Sequence, residues 1–135
     1  MRTFKKIITA VILLSLIAGL CGCGDGYVSS YRAVGLVRSN TSHSCSISFM
    51  SLEGQLVYKL RSSDGGEGDI SYSLKVDEGE VAIYYDIYGS KEELISAVAG
   101  EEITDRGGYI EGGYTVYIII EAKNGARGKV SVELD

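Results

Sequence analysis

The chain has 135 residues, with 18 acidic against 13 basic side chains and a net charge of −5. An acidic surplus argues against a nucleic-acid partner, and the single histidine, His43, excludes chemistry built on several imidazoles. Three cysteines, no proline and no tryptophan complete the inventory.

In chain order, Arg2, Lys5 and Lys6 stand before an apolar run over 7–20. A basic start and a short apolar core are the pattern of an export signal. At about 1.5 Å per residue the run reaches about 21 Å as a helix, short of the ~30 Å hydrocarbon core of a bilayer. It therefore reads as a cleaved signal helix, not a membrane span.

The run closes on Leu20-Cys21-Gly22-Cys23, which resembles the lipobox of bacterial lipoproteins. An aliphatic residue stands at −3, small residues follow, and the last cysteine is the one modified. Cleavage before Cys23 leaves Gly22 at −1, whereas cleavage before Cys21 would put Leu20 there. The resemblance implies that residues 1–22 are a signal peptide and that Cys23 carries diacylglycerol. It also implies that the lipid bilayer is a partner, with the protein on the outer face of the bacterial cell membrane. Two acyl chains, at about 0.8 kcal/mol per buried CH₂, anchor stably where one does not. Residues 23–26 would then form a short anchored linker and residues 27–135 the domain.

After residue 22 the chain keeps all 18 acidic residues and 10 basic ones, a net charge of −8. With Cys21 removed and Cys23 lipidated, Cys45 stands alone, so no disulfide framework is expected. In the strand-like stretch 44–49 it reads as a small buried side chain. His43, two residues earlier, could share a strand face with it, but two ligands do not make a metal site.

The rest reads as an antiparallel all-β domain of short alternating segments. Strands are expected at 31–37, 44–51 and 55–61. The clearest covers 69–76, with Ile70, Tyr72, Leu74 and Val76 on the core face. The acidic run at 77–80 reads as the turn of a hairpin into Val81, Ile83, Tyr85 and Ile87. Ser90 and Glu93 have capping-box spacing before Leu94, Ile95 and Val98, but alternation favours an extended segment over a short helix. Residues 114–121 are apolar on both faces, which suits a central strand. Asn124-Gly125 then suggests a turn before Val130, Val132 and Leu134. Eight or nine strands in one domain point to a two-sheet antiparallel sandwich, jelly-roll or immunoglobulin-like.

Candidate site residues are few. Asp64, Glu67 and Asp69, on a glycine-rich loop, could fold around calcium, although the spacing departs from the EF-hand pattern and a plain polar loop is the simpler reading. No other cofactor is suggested. Glu101, Glu102 and Asp105 form a weaker set of the same kind. Tyr84 and Tyr88 fall opposite the core face of their strand and could form an aromatic platform for a glycan or a protein partner. The glycine pairs at 107–108 and 112–113 read as turns, lacking the strand-then-helix context of a phosphate loop. No nucleophile elbow or Cys/His arrangement is present, so a non-enzymatic binding or structural role in the envelope is expected, with a calcium- or carbohydrate-binding module as the alternative.

Overall fold

The computed structural model describes residues 27–62, 68–110 and 114–134. The signal, Cys23, the linker, Asp64 and Glu67 lie outside them.

Seven strands and no helix make up the described chain: β1 (Ser30–Val34), β2 (Val37–Asn40), β3 (Ser44–Arg61), β4 (Gly68–Asp86), β5 (Glu92–Val98), β6 (Glu102–Ile110) and β7 (Thr115–Leu134). Every pairing is antiparallel, and β3, β7 and β4 lie side by side at the centre. These three are long, and each serves two layers. In one layer β2, the first half of β3, the second half of β7, the first half of β4 and β6 are neighbours. In the other the order is β1, the second half of β3, the first half of β7, the second half of β4 and β5.

An 18-residue strand such as β3 would span about 60 Å if straight. Instead its ends meet: the Arg61 amide donates to the Ser42 carbonyl at 2.7 Å, and His43 Nδ1–H donates to the Arg61 carbonyl. The strand has folded over, and one layer lies on the other. Between them sits a single core, to which Ile47, Phe49, Leu52, Leu56, Leu60, Ile70, Leu74, Val81, Ile83, Ile118 and Val130 all belong. The expected all-β, two-layer antiparallel sandwich is the observed architecture.

The bends coincide. Ladder register slips between Phe49 and Gly54 in β3 and between Val76 and Glu80 in β4. Extra residues at one level bend a strand and sharpen its twist. Close packing there requires glycine. A Cβ on Gly128 would stand 2.0 Å from the Lys75 carbonyl oxygen, and one on Gly79 would stand 2.5 Å from that of Lys123.

Two expected turns are therefore corrected. The acidic run 77–80 does not reverse the chain, because β4 keeps its direction against β7 from Ile70↔Leu134 to Asp86↔Tyr117. Asn124 and Gly125, with φ of 61° and 60°, likewise form a bend inside β7. Turn-forming residues supply positive φ, and a bulge uses it as readily as a reversal does. The segment expected at 31–37 is divided by Gly35 (φ 62°) into β1 and β2, one in each layer. The extended reading of the 91–99 segment holds, since Glu92–Val98 is β5.

Candidate functional site

With the inner faces in the core, chemistry is left to the two outer faces and to the strand ends. The two faces differ in kind. Across the β2–β6 layer, register aligns Ser39, Ser46, Ser131, Ser73 and Thr104 in one transverse row. A depression of about 510 Å³ over this face is bordered by Ser71, Ser73, Thr104, Arg106 and Glu133. The aromatic residue beside it, Tyr72, belongs to the core and is 6% exposed. Among the described residues this face offers hydroxyls and charge, with no exposed aromatic ring to stack on.

The outer face of the β1–β5 layer carries the tyrosines. Three successive rows run across it: Gln55, Glu121, Ala82 and Ser96; then Val57, Ile119, Tyr84 and Glu93; then Lys59, Tyr117 and Asp86. Ile119 is fully buried although it faces away from the core cluster, so the middle of this face is itself packed. That agrees with the two-sided apolar pattern of 114–121.

Tyr84 is the centre of the site. The Lys91 ammonium lies over its ring, 4.3 Å from the centroid, and pairs with Glu121 Oε1 at 3.2 Å. Partial burial, followed by the Glu121 carboxylate, holds the Tyr84 hydroxyl above its ordinary pKa. It is therefore a neutral donor throughout the physiological range. Beside it a shallow groove of about 290 Å³ is lined by Glu80, Tyr84, Glu93, Ser96, Glu121 and Lys123. Carboxylate acceptors, an ammonium, a hydroxyl and one aromatic ring thus share a single surface. The Lys91–Glu121 pair is partly solvated, and such pairs contribute at most ~1 kcal/mol, so the cap over the ring is readily displaced.

A second aromatic unit adjoins the first. Tyr27 meets Tyr117 edge to face at 5.7 Å, and Lys59 lies 5.6 Å from the Tyr117 centroid. The Tyr27 hydroxyl donates to Asp86 Oδ2 at 2.5 Å. Burial and, after it, Asp86 push the Tyr27 hydroxyl up to about 12.

The structure separates the two tyrosines expected to form one platform. Tyr84 lies on the sheet. Tyr88 lies beyond the end of β4, and its ring packs edge-on against Tyr114 at 5.5 Å. Alternation stops where Asp86 ends the strand by accepting from the Gly89 amide at 2.6 Å. Lys91, Glu121, Tyr117 and Tyr27 complete the face and were not found as site residues by sequence reasoning. Only the two-sided pattern of 114–121 hinted at Tyr117.

Of the proposed calcium ligands, Asp69 is exposed near the start of β4, and Asp64 and Glu67 lie outside the described residues. Among the described residues no three His, Cys, Asp or Glu side chains gather as a metal site. The His43 ring is engaged with Arg61. Cys45 is 2% exposed and faces the core, and burial raises its thiol to about 12. A buried, protonated thiol is not poised as a nucleophile.

No protein-family model matches the chain, and no curated protein does. Among solved structures, it is similar to a mutant of a family 29 carbohydrate-binding module complexed with mannohexaose, at 17% identity over 82% of this chain and 79% of that one, with a TM-score of 0.44. A second mutant of that module, complexed with cellulohexaose, gives 18% identity over 82% and 78%, with a TM-score of 0.42. A CBM4 structure gives 15% identity over 82% and 78%, with a TM-score of 0.42.

Proposed function

We propose that residues 27–135 form a non-enzymatic binding module, held at the outer face of a bacterial membrane by lipid on Cys23, and that the groove beside Tyr84 binds a neutral glycan chain. The observation that carries the ligand class is the composition of that groove. One half-buried tyrosine stands among Glu93, Ser96, Glu121 and Lys123. Sugar rings present apolar C–H faces that pack on an aromatic ring, and hydroxyls that need donors and acceptors around its rim. Among the described residues the β2–β6 face has hydroxyls and charge without the ring. A non-enzymatic role fits the placement of the Cys45 thiol in the core.

Calorimetric titration against a panel of soluble neutral oligosaccharides tests the ligand. At least one should bind, and Tyr84→Ala should weaken it about tenfold, or ~1.4 kcal/mol. Binding that survives Tyr84→Ala unchanged places the ligand elsewhere. A panel without a binder removes the glycan reading. The anchor has its own test. Full-length chain expressed in a bacterium should partition into detergent, and Cys23→Ser should move it to the aqueous phase while leaving it folded. A Cys23→Ser protein that partitions like the unaltered chain refutes lipidation at that residue.

A further inference from the structure

The strand bends lie at one end of the sandwich, and the chain enters at the other. Tyr27 is the first described residue, and its hydroxyl is held by Asp86, a carboxylate only 4% exposed. The other oxygen of Asp86 accepts from Gly89 in the loop that carries Tyr88. One buried side chain thus fixes both the point where the chain enters and the position of that loop. The hold on the entering segment is reinforced along β3, where Gln55 Nε2 donates to the Val28 carbonyl at 3.1 Å and Ser29 Oγ accepts from the Val57 amide at 2.9 Å.

At this end the aromatic surface is unusually open. Tyr88 is 67% and Tyr114 45% exposed, edge to face. From Tyr27 back to Cys23 is four residue steps, at most about 14 Å of chain. A lipid on Cys23 would therefore hold the Tyr27 end within a short reach of the headgroups.

We infer that Tyr88 and Tyr114 lie in the headgroup layer of the bilayer, so that the sandwich stands on its open end with its strand bends pointing outward. The inference rests on the reading of Cys23 as the lipidated residue. Tyrosine suits this position, because its ring is apolar and its hydroxyl is polar, and the interfacial zone is only about 6 Å deep on each side. Two acyl chains already supply the affinity. The tyrosines supply orientation: they stop the anchored domain from tumbling. With the strands upright, the groove beside Tyr84 opens sideways, parallel to the membrane, where an extended polymer can lie in it.

The chain has no tryptophan, so a single one introduced by substitution reports on its own surroundings. Full-length chains carrying Tyr88→Trp or Met50→Trp are expressed, processed and reconstituted into phosphatidylcholine vesicles containing brominated lipid. Met50 is 65% exposed at the bends and serves as the distal control. The tryptophan at 88 should shift to the blue and lose its emission to the brominated lipid, while the one at 50 keeps the emission it has in water. Mass spectrometry and flotation report the anchor separately. If the protein is lipidated and floats but the tryptophan at 88 is unquenched, the orientation is refuted and the anchor stands. A tryptophan at 88 shielded from acrylamide yet untouched by brominated lipid means a protein partner or a second copy covers that end, which also overturns the inference. If Cys23 carries no lipid, both readings fall together.

Discussion

At the residue scale, a few side chains hold apart what backbone alternation would treat alike. Asp86 sits on an outward-facing strand position, yet it is buried because Tyr27 and the Gly89 amide close over it. Cys45 sits on an inward one and behaves as a small apolar residue. Both Cys45 and Tyr27 have their pKa raised in the fold, to about 12, from ordinary values of 9.0 and 10.0. Burial raises Tyr58, Tyr72 and Tyr84 in the same direction. The sign follows from linkage. A group whose folded pKa lies above its unfolded one contributes stability that is complete below the unfolded pKa and is lost as pH rises toward the folded one. Urea midpoints should therefore be level up to about pH 9 and fall between about pH 9 and 12. The Cys45 thiol should react with an alkylating reagent only as fast as the chain unfolds. A midpoint that is flat through that window, or alkylation of the native protein in seconds, would contradict the burial described.

At the element scale, the decisive feature is that β3, β4 and β7 pass from one layer to the other instead of turning back. Their bends are possible because backbone approaches backbone where a side chain would intervene. Gly107 and Gly128 give a clean comparison, since neither has a positive φ. A Cβ on Gly107 would meet only side chains, at 3.5 Å, and one on Gly128 would run into the Lys75 carbonyl at 2.0 Å. Gly107→Ala should be neutral or slightly stabilising, because it restricts the unfolded chain. Gly128→Ala should cost about 3 kcal/mol or more, or prevent folding, because two strands must move apart. Thermal melts of the two variants decide the matter. Equal melting temperatures would mean that the bend is not the tight crossing described.

This is also where sequence patterning reaches its limit. The alternation in 69–76, 81–87, 116–120 and 130–134 identifies the core residues correctly, since burial on one face repeats every second residue whatever the strand does next. The direction of the chain after each segment is not encoded that way. Glycine, asparagine and acidic residues permit both a tight turn and a bulge. Long-range pairing to β7 selects the bulge, and no local window contains that partner.

At the scale of the whole molecule, the question is what the surface can hold. Calcium is the one ion the chain suggests, through Asp64, Glu67 and Asp69. Ion binding to the folded state alone would stabilise it by RT ln(1 + [L]/Kd), about 2.7 kcal/mol at a hundredfold excess, and would raise the melting temperature by several degrees. We expect no shift with millimolar Ca²⁺, because the segment has the composition of a polar glycine-rich loop. A rise that disappears in the double variant Asp64→Asn, Asp69→Asn would reverse that expectation.

The sequence by itself determined the all-β class, the identity of the core face over 69–76, 81–83, 116–120 and 130–134, the burial of Cys45 and the expectation of an anchor at Cys23, whereas in β5 it is Ala97 and not Val98 that reaches the core. Each of these depends on residue type and near neighbours. The tertiary structure alone decided that three strands build both layers. It also decided that Tyr84 shares its face with Lys91 and Glu121 while Tyr88 leaves it for Tyr114, and that Tyr27 and Asp86 bind the chain's entry to a distant loop. Those contacts join residues separated by as many as 59 positions. They arise only when the folding of a strand upon itself brings its two ends together, and periodicity carries no information about which remote side chains will then meet.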